Sequence, residues 1–268
     1  MKIVTWNVNS VRARLHLFTP WQMQLDPDVI LFQELKCQDH DFPFGFFEEL
    51  GFSCKVLGEK SYNGVGILSK YSIEDVTRGL PTFKSNPAAR YIEAVINGNV
   101  RVASVYVPNG GLVVNSKEYL HKLEFLTRLK EHMAELNKNN EVVLIGGDYN
   151  ITPDDLDVYN PKAWHERVCC TTEERMHFKE LLAAGYDDLL KSALDRQSQT
   201  IKARPFTWWD YRGSAFTNNL GLRIDHFLGN SFAQSAVGNV FVDTWPRKML
   251  RPSDHAPVVC DLNVGSLE

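Results

Sequence analysis

The sequence predicts an α/β fold in which packed sheets carry helices on their outer sides. Three observations lead there: β-rich segments and helical patterns interleave along the chain, the strand candidates outnumber the helices, and many of them alternate apolar with polar residues. No low-complexity tract or linker interrupts residues 1–268, which are expected to form a single domain.

Lys2 to Val8 is the first β-rich run and stops at Asn9-Ser10. Thr19-Pro20 has the form of an N-cap followed by a first-turn proline, so a short helix is expected to begin there. Asp28 to Glu34, DVILFQE, is a short apolar run that reads as a buried strand delivering Glu34 at its end. Tyr91–Ile96 and Val100–Val107 flank Asn97-Gly98-Asn99, and Asn-Gly supplies the positive φ angles of a tight hairpin. Between Asn115 and Asn137, Tyr119, Leu123, Leu126, Leu129, Met133 and Leu136 recur every three or four positions with charged residues between them, the pattern of an amphipathic helix. Glu141 to Ile145 reads as a buried strand ending at Gly146-Gly147-Asp148, and Leu222–Leu228 and Ala256–Leu262 are further strand candidates. Tyr159–Glu174 and Leu194–Arg204 read as long loops, which are often functional.

Composition narrows the function classes. With 44% hydrophobic and 23% charged residues the chain is an ordinary folded soluble protein. No run approaches the roughly 18 apolar residues of a membrane span, and polar residues interrupt Met1–Asn9 where a signal peptide would be apolar. The five cysteines (Cys37, Cys54, Cys169, Cys170, Cys260) are odd in number, scattered and free of any CxxC pair. That pattern points to free thiols in a reducing, cytoplasmic setting rather than to disulfides or zinc. The net charge of −4 runs against the basic footprint of a nucleic-acid binder, although clustered metal-binding carboxylates lower the net charge while basic residues still line one face.

Acidic and amide residues gather where the strand candidates end: Asn7 with Asn9, Glu34, Asp148 with Asn150, and Asp254 beside His255. Strand ends converging on one edge would bring them together. Oxygen ligands suit a hard cation such as Mg²⁺. Phosphodiester hydrolysis needs such a cation to neutralise charge, together with a group that orients or deprotonates water. Singly the motifs are weak, because Asn9-Ser10, Gly147-Asp148 and Ser253-Asp254-His255 are also ordinary turn or cap sequences. Glu34 is harder to dismiss, since a carboxylate ending an apolar run must find a partner or a metal.

In their order along the chain, TWNVNS, DVILFQE, YVPNG, IGGDYNITP, WWDYR, GLRIDH and PSDHAPV resemble the exonuclease III family of DNA repair nucleases, of the endonuclease/exonuclease/phosphatase superfamily, from Met1 to about Leu262. TWNVNS, FQE and SDH occur widely in that superfamily, whereas YVPNG, WWDYRG and GLRIDH point to its DNA-repair branch. Tyr149 in GGDYN stands where an apolar residue is more frequent. The resemblance implies a two-sheet α/β sandwich with outer helices, deoxyribonuclease-like, with its site at one edge. It implies Mg²⁺-dependent hydrolysis, Mn²⁺ serving as an alternative, of the phosphodiester 5′ to abasic sites. It also implies 3′-end processing as a 3′–5′ exonuclease and 3′-phosphatase or phosphodiesterase, acting as a monomer on double-stranded DNA with abasic sites or blocked 3′ ends.

Residue by residue, the resemblance makes Glu34 the principal metal ligand, with Asn7, Asn9 and Asp254 nearby and Asp148, Asn150 and His255 completing the set. Asp148 would orient or deprotonate the attacking water, with Asn150 fixing its position. His255 would hold the scissile phosphate, oriented by Asp225. Tyr106 and Asn109 would hydrogen-bond phosphate oxygens, and Tyr106 would steady the leaving 3′ oxygen. Trp208, Leu222 and Ile224 match the abasic-sugar pocket; their other reading is sheet packing, and the adjacent Trp209 is expected to face the core. Lys36 and Arg90 fall where the family places basic residues near the site, and Arg12, Arg212 and Arg223 are further candidates for phosphate contacts. Gly110-Gly111-Leu112 lacks the basic residue that some relatives carry there, and bulk at Trp164-His165-Glu166 would favour end processing over internal incision. Two rival readings are a phosphatase of lipid headgroups or inositol phosphates, against which WWDYR and GLRIDH count, and a catalytically silent binding module, against which the retained Glu34, Asp148, Asn150, Asp225 and His255 count.

Overall fold

The computed structural model describes residues 1–197 and 205–263. The first half of the chain runs β1 (Lys2–Asn7), α1 (Val11–Leu25), β2 (Val29–Gln33), α2 (Phe44–Glu49), β3 (Ser53–Leu57), β4 (Val65–Ser69), β5 (Ile73–Arg78), β6 (Tyr91–Ile96) and β7 (Val100–Tyr106). It continues with α3 (Lys117–Leu136), β8 (Val142–Asp148), α4 (Pro161–Trp164), α5 (Thr172–Ala183), β9 (Tyr186–Asp188) and α6 (Leu189–Gln197). After the second described stretch begins come β10 (Asp225–Asn230), α7 (Ser231–Ala236), β11 (Val237–Val242) and β12 (Val258–Leu262). Two six-stranded mixed sheets result, one ordered β11-β12-β1-β2-β4-β3 and the other β5-β6-β7-β8-β10-β9. This is the α/β sandwich that the motifs implied.

Period-two alternation sorts the core into three layers. Ile3, Val29, Leu31, Val65 and Ile67 of the first sheet meet Ile92, Val102, Leu144 and Phe227 of the second between the sheets. Val4, Trp6, Ile30 and Phe32 face the other way, onto Phe18 and Trp21 of α1 and Phe47 of α2. Val105, Val143 and Ile145 face outward from the second sheet onto Leu126, Leu129 and Met133 of α3 and Phe178 of α5.

The inner faces change from apolar to polar along their length. On β1 the inward sequence is Ile3, Thr5, Asn7, and on β2 it is Val29, Leu31, Gln33. On β7 it is Val102, Ser104, Tyr106, and on β8 Leu144, Gly146, Asp148. Gln33 Nε2 bridges the sheets at mid-height, donating to Thr5 Oγ1 at 3.0 Å and Ser104 Oγ at 2.9 Å. Register then brings Tyr106 beside Asp148, and Asp148 opposite Asp225 on antiparallel β10. The polar ends of five strands therefore share one open edge.

Five expected elements need correction. No helix begins at Thr19-Pro20: α1 starts at Val11 and runs through Pro20. An interior proline costs about 3 kcal/mol; burial of Val11, Leu17, Phe18 and Trp21 offsets it. β8 does not end before the glycine pair but continues to Asp148. A Cβ at Gly147 would lie 1.9 Å from the Val105 carbonyl oxygen, and one at Gly146 would lie 2.5 Å from the Phe227 ring, so glycine alone fits. β10 begins at Asp225, while Leu222 makes isolated bridges to Val158 and Trp208. Tyr159–Glu174 is not bare loop: it holds α4, and Thr171 and Glu174 form the capping box that opens α5. Of the second expected loop, residues 194–197 complete α6 and residues 198–204 lie outside the described residues.

Arg223 does not face DNA. The alternation that points Leu222 and Ile224 one way buries Arg223 fully on the other. There its Nε donates to Asp157 Oδ1 and its NH1 group to Asp188 Oδ2, both at 2.7 Å. Burial alone would raise the Asp188 pKa, but Arg223 and His226 outweigh it and hold the carboxyl well below the usual range. Such a group stabilises the fold fully above its unfolded value of about 3.9, and that contribution is lost as pH falls below it. Asp188→Asn is expected to cost about 3 kcal/mol at neutral pH, the loss typical when one member of a buried pair is removed. It is also expected to flatten the fall of melting temperature on acidification below about pH 4, and identical acid sensitivity in the two proteins would contradict this.

Candidate active site

At the open edge, the chain leaves three strands through left-handed non-glycine residues. Asn9 (φ 45°) and Ser10 (81°) follow β1, Glu34 (54°) and Lys36 (53°) follow β2, and Asn150 (52°) follows β8. Such conformations persist only where their surroundings over-determine them. Ser10 N donates to Glu34 O at 2.8 Å, Leu35 N to Gly64 O at 3.1 Å and Lys36 N to Asn63 O at 2.9 Å. Asn150 is held by its own N–H on Asp148 Oδ1 and by its Nδ2 on Val107 O, each at 2.9 Å.

These turns aim a connected set of side chains at one point. Asn7 Nδ2 donates to Glu34 Oε1 at 2.8 Å and to Asp148 Oδ2 at 2.9 Å, while its oxygen accepts from Asn9 N at 3.0 Å. Asn7 thus presents N–H groups to the two carboxylates and joins them, with its oxygen turned away from the position expected of a ligand. Asn9 Nδ2 donates to Asp254 Oδ1 at 2.9 Å and its oxygen accepts from Lys36 Nζ at 2.6 Å. The same ammonium lies 2.7 Å from Glu34 Oε2. His255 Nδ1 donates to Asp225 Oδ2 at 2.9 Å, and its Nε2 stands 3.8 Å from Asp148 Oδ2. That gap is too long for a hydrogen bond but leaves one oxygen atom of a substrate within reach of both.

Burial and crowding set the charges. Burial pushes Asp148 up to about 7, with Asp225 and Glu34 adding to the shift and His255 opposing it. For His255 burial alone would lower the pKa, yet Asp225, and behind it Asp148, hold it up at about 10. The imidazole is therefore a cation with two N–H donors at neutral pH. Burial, with Glu34 and Asp148 nearby, raises the Tyr106 phenol well above its ordinary value, which keeps it a donor. The Arg90 guanidinium stacks 4.7 Å from the centre of the Tyr106 ring and donates to the Tyr106 carbonyl.

Beside this cluster opens a cavity of about 220 Å³. Glu34, Tyr106, Asn109, Asp148, Asn150, Asp254 and His255 form its polar side, and Trp164, Cys169, Trp208, Leu222 and Ile224 its apolar side. Trp209 turns away into a pocket of Phe206, Ala215 and Ala256. The structure does not bring every candidate together: Arg12 is exposed, and Arg212, also exposed, forks onto Asp210 and is absent from the cavity lining. Sequence reasoning gave no role to several residues that hold the site. Ser253 Oγ donates to Asn7 O at 2.7 Å, and Thr207 Oγ1 accepts from the backbone N–H groups of Ile224 and Asp225 at 3.0 Å. Ser253 lies inside the PSDHAPV motif and Thr207 immediately precedes WWDYR, so the signal was proximity to a candidate residue.

Carboxylates at parallel strand ends, a carboxylate-supported histidine and an apolar pocket on a two-sheet sandwich define a phosphoester-hydrolase edge. The chain matches the Endonuclease/Exonuclease/phosphatase family over residues 4–255 and belongs to it. Its similarity runs to the exonuclease III group. It is 33% identical over 267 residues to exodeoxyribonuclease III of Haemophilus influenzae, covering 96% of this chain and 98% of that one. It is 29% identical to the DNA repair nuclease APEX1 of Danio rerio, covering 98% and 83% of the two chains. Among solved structures, the 3′ phosphatase NExo from Neisseria bound to a product DNA hairpin aligns with a TM-score of 0.92 and 37% identity, over 98% of this chain and 99% of that one. An AP endonuclease from Archaeoglobus fulgidus aligns with a TM-score of 0.91 and 32% identity, over 98% and 100%.

The family is metal-dependent, and the donors here fit a hard cation: ligand atoms of Glu34, Asp148 and His255 lie within 4.8 Å of one another, without any thiolate. With His255 Nδ1 engaged by Asp225, its Nε2 is the ring atom that faces the carboxylates of Glu34 and Asp148. Glu34→Gln is expected to raise the divalent-metal concentration needed for half-maximal activity by at least about tenfold, the loss that follows even from removing a ligand's outer-shell partner, with partial rescue at high metal concentration. Wild-type activity of this variant at low metal concentration would remove Glu34 from the site.

Proposed function

We propose that this nuclease incises DNA on the 5′ side of abasic sites and clears blocked 3′ ends, using Mg²⁺ (or Mn²⁺) and acting as a cytoplasmic monomer. Metal-dependent phosphodiester hydrolysis in DNA repair is the activity of its group. No helix among the described residues is long and apolar enough to cross a membrane. The observation that carries the finer reading is the meeting of the buried Asp148–Asn7–Glu34 and His255–Asp225 systems with the Trp208, Leu222 and Ile224 wall of a cavity of about 220 Å³. A baseless deoxyribose fits such an apolar niche, whereas a stacked base adds bulk the niche does not have.

A bound divalent cation, held by Glu34 and Asp148 with Asp254 close by, would neutralise charge on the phosphate oxygens. The remaining work falls to the chain. Asp148, whose Oδ1 anchors the Asn150 N–H and whose Oδ2 faces the His255 ring, takes a proton from water as the water oxygen attacks phosphorus, and Asn150 fixes the direction of attack. His255, kept cationic by Asp225, donates Nε2–H to a phosphate oxygen whose negative charge grows in the transition state. Asn109 donates to a second phosphate oxygen. The P–O3′ bond breaks, and Tyr106, still carrying its proton, steadies the departing 3′ oxygen. A 3′-phosphate presents the same phosphorus to the same groups, so one site serves both substrates. Asp148→Asn is expected to lose turnover by at least about a thousandfold while duplex binding stays within a few-fold, because the residue acts on water rather than on DNA. Substantial Mg²⁺-dependent cleavage by this variant would refute the assignment.

Trp208 couples the two halves of the site, since its indole N–H donates to Asp254 Oδ2 at 3.1 Å. Removing Trp208 therefore also removes a donor from Asp254, a candidate metal ligand. Aromatic stacking on nucleotide groups contributes about 1–3 kcal/mol. Trp208→Ala is expected to slow incision of a duplex with one abasic analogue by roughly five- to 150-fold and also to raise the Mg²⁺ requirement. Leu222→Ala, which leaves Asp254 alone, separates the effects: abasic incision should fall at unchanged Mg²⁺ dependence, with 3′-phosphate removal less affected. Equal loss on both substrates in Leu222→Ala would show that the wall is packing and not a sugar pocket.

A further inference from the structure

On the outer side of the second sheet, a fully buried ion pair ties together segments that end in site residues. Lys122 of α3 and Glu174 of α5 are both wholly buried and hydrogen-bond each other through Nζ and Oε1. Lys122 Nζ also donates to the carbonyl oxygen of Asn150 at 2.7 Å and reaches that of Asn109 at 3.4 Å. Glu174 accepts from Cys169 N at 3.1 Å, and from Thr171 N and Oγ1 at 3.1 and 2.9 Å. Tyr119, one turn before Lys122, closes the network on Thr171 Oγ1 at 2.7 Å. The lysine stem passes so near Gly110 that a Cβ there would lie 3.1 Å from Lys122 Cδ.

Stability does not explain this arrangement, because a buried ion pair commonly adds less than apolar residues of the same volume. Its contacts indicate another use. Asn109 and Asn150 leave adjacent parallel strands, β7 and β8, and one ammonium holds both backbones. Asn150 sits in the left-handed region with its N–H and Nδ2 tied to Asp148 and Val107; Lys122 satisfies its remaining backbone group. The same pair anchors Cys169, which lines the cavity across from Asn109 and Asn150. We propose that Lys122, paired with Glu174, is a positioning residue: it fixes Asn109 and Asn150 from behind and so sets the alignment of phosphate and water. The inference rests on the roles given above to those two asparagines.

The test is a double-mutant cycle on the intact protein, with kcat and KM measured on the abasic duplex at a temperature well below every variant's melting midpoint. Lys122→Met combined with Glu174→Gln removes both charges together and leaves no lone buried ion. This pair is expected to lower kcat by about a hundredfold, the scale of a misplacement of about 1 Å, with KM little changed. In an Asn150→Ala background the same pair should cost about tenfold or less, the part that acts through Asn109, since residues acting through one another are non-additive. Equal loss in both backgrounds, or wild-type kcat in the folded pair variant, overturns the inference while Asn150→Ala alone still reports on the site. Wild-type turnover in Asn150→Ala overturns the reading of the site and this inference with it. If the neutral pair does not fold, Lys122→Arg keeps the ion pair but cannot hold both carbonyls in place; it should lower kcat with an unchanged circular dichroism spectrum, and full kcat overturns the inference.

Discussion

Everything at the open edge depends on accommodating crowded negative charge. Glu34, Asp148, Asp225 and Asp254 converge there, with His255 and Lys36 as the cations in contact with them. Like charges at such distances in a poorly solvated place repel strongly, and the structure answers in two ways. Asn7 donates to two carboxylates at once, and Asp148 is pushed toward neutrality. Even with Asp148 pushed toward neutrality, the carboxylates of Glu34, Asp225 and Asp254 outnumber the two cations, an excess of negative charge that a divalent metal would offset.

The sheets make this crowding possible. Because strand side chains alternate strictly, an apolar inner face at one end commits the same face to the polar residues at the other. Ile3 commits Asn7, Leu144 commits Asp148, and Val102 commits Tyr106. The glycines of β8 let that strand run close to β7 and β10, which brings Asp148 into register with Tyr106 and Asp225. Left-handed turns at Asn9, Glu34 and Asn150 then bend the chain away at once, so the polar groups stay at the edge and are not carried into a loop.

Much of this was legible in the sequence, for a physical reason. DVILFQE and VVLIGGD show apolar runs ending in carboxylates, and burial makes such a pattern hard to explain by packing alone. The hairpin at Asn97-Gly98 and the α3 stripe are local signals, and the structure contains both elements. The less legible parts depend on tertiary context. β5, IEDVTR, is an edge strand with an irregular register and one covered face, so its sequence carries little period-two signal. Pro20 argued locally for a helix start, and only the packing of Phe18 and Trp21 on β1 and β2 overrides it. Arg223 looked like a surface cation because its partners, Asp157 and Asp188, are 66 and 35 positions away. Lys122 did leave a trace, as a charge on the apolar stripe between Tyr119 and Leu126, but its partners come from three other segments.

Strand ends carry the chemistry, whereas the cavity wall comes from segments that are not part of either sheet, and the two are nonetheless joined through the backbone. Trp208 N and O both pair with Leu222, Trp209 N donates to Asp254 O at 3.0 Å, and Ala256 N donates to Thr207 O at 2.7 Å. The segment carrying the wall is thus laced residue by residue to the one carrying Asp254 and His255. Thr207 adds a side-chain tie to Ile224 and Asp225, so the aspartate that supports His255 and the isoleucine that lines the cavity share one hydroxyl. The cavity wall and the aspartate that supports His255 are therefore positioned by one connected set of hydrogen bonds, in which the backbone of residues 207–209 joins Leu222 to the segment of Asp254 and Ala256.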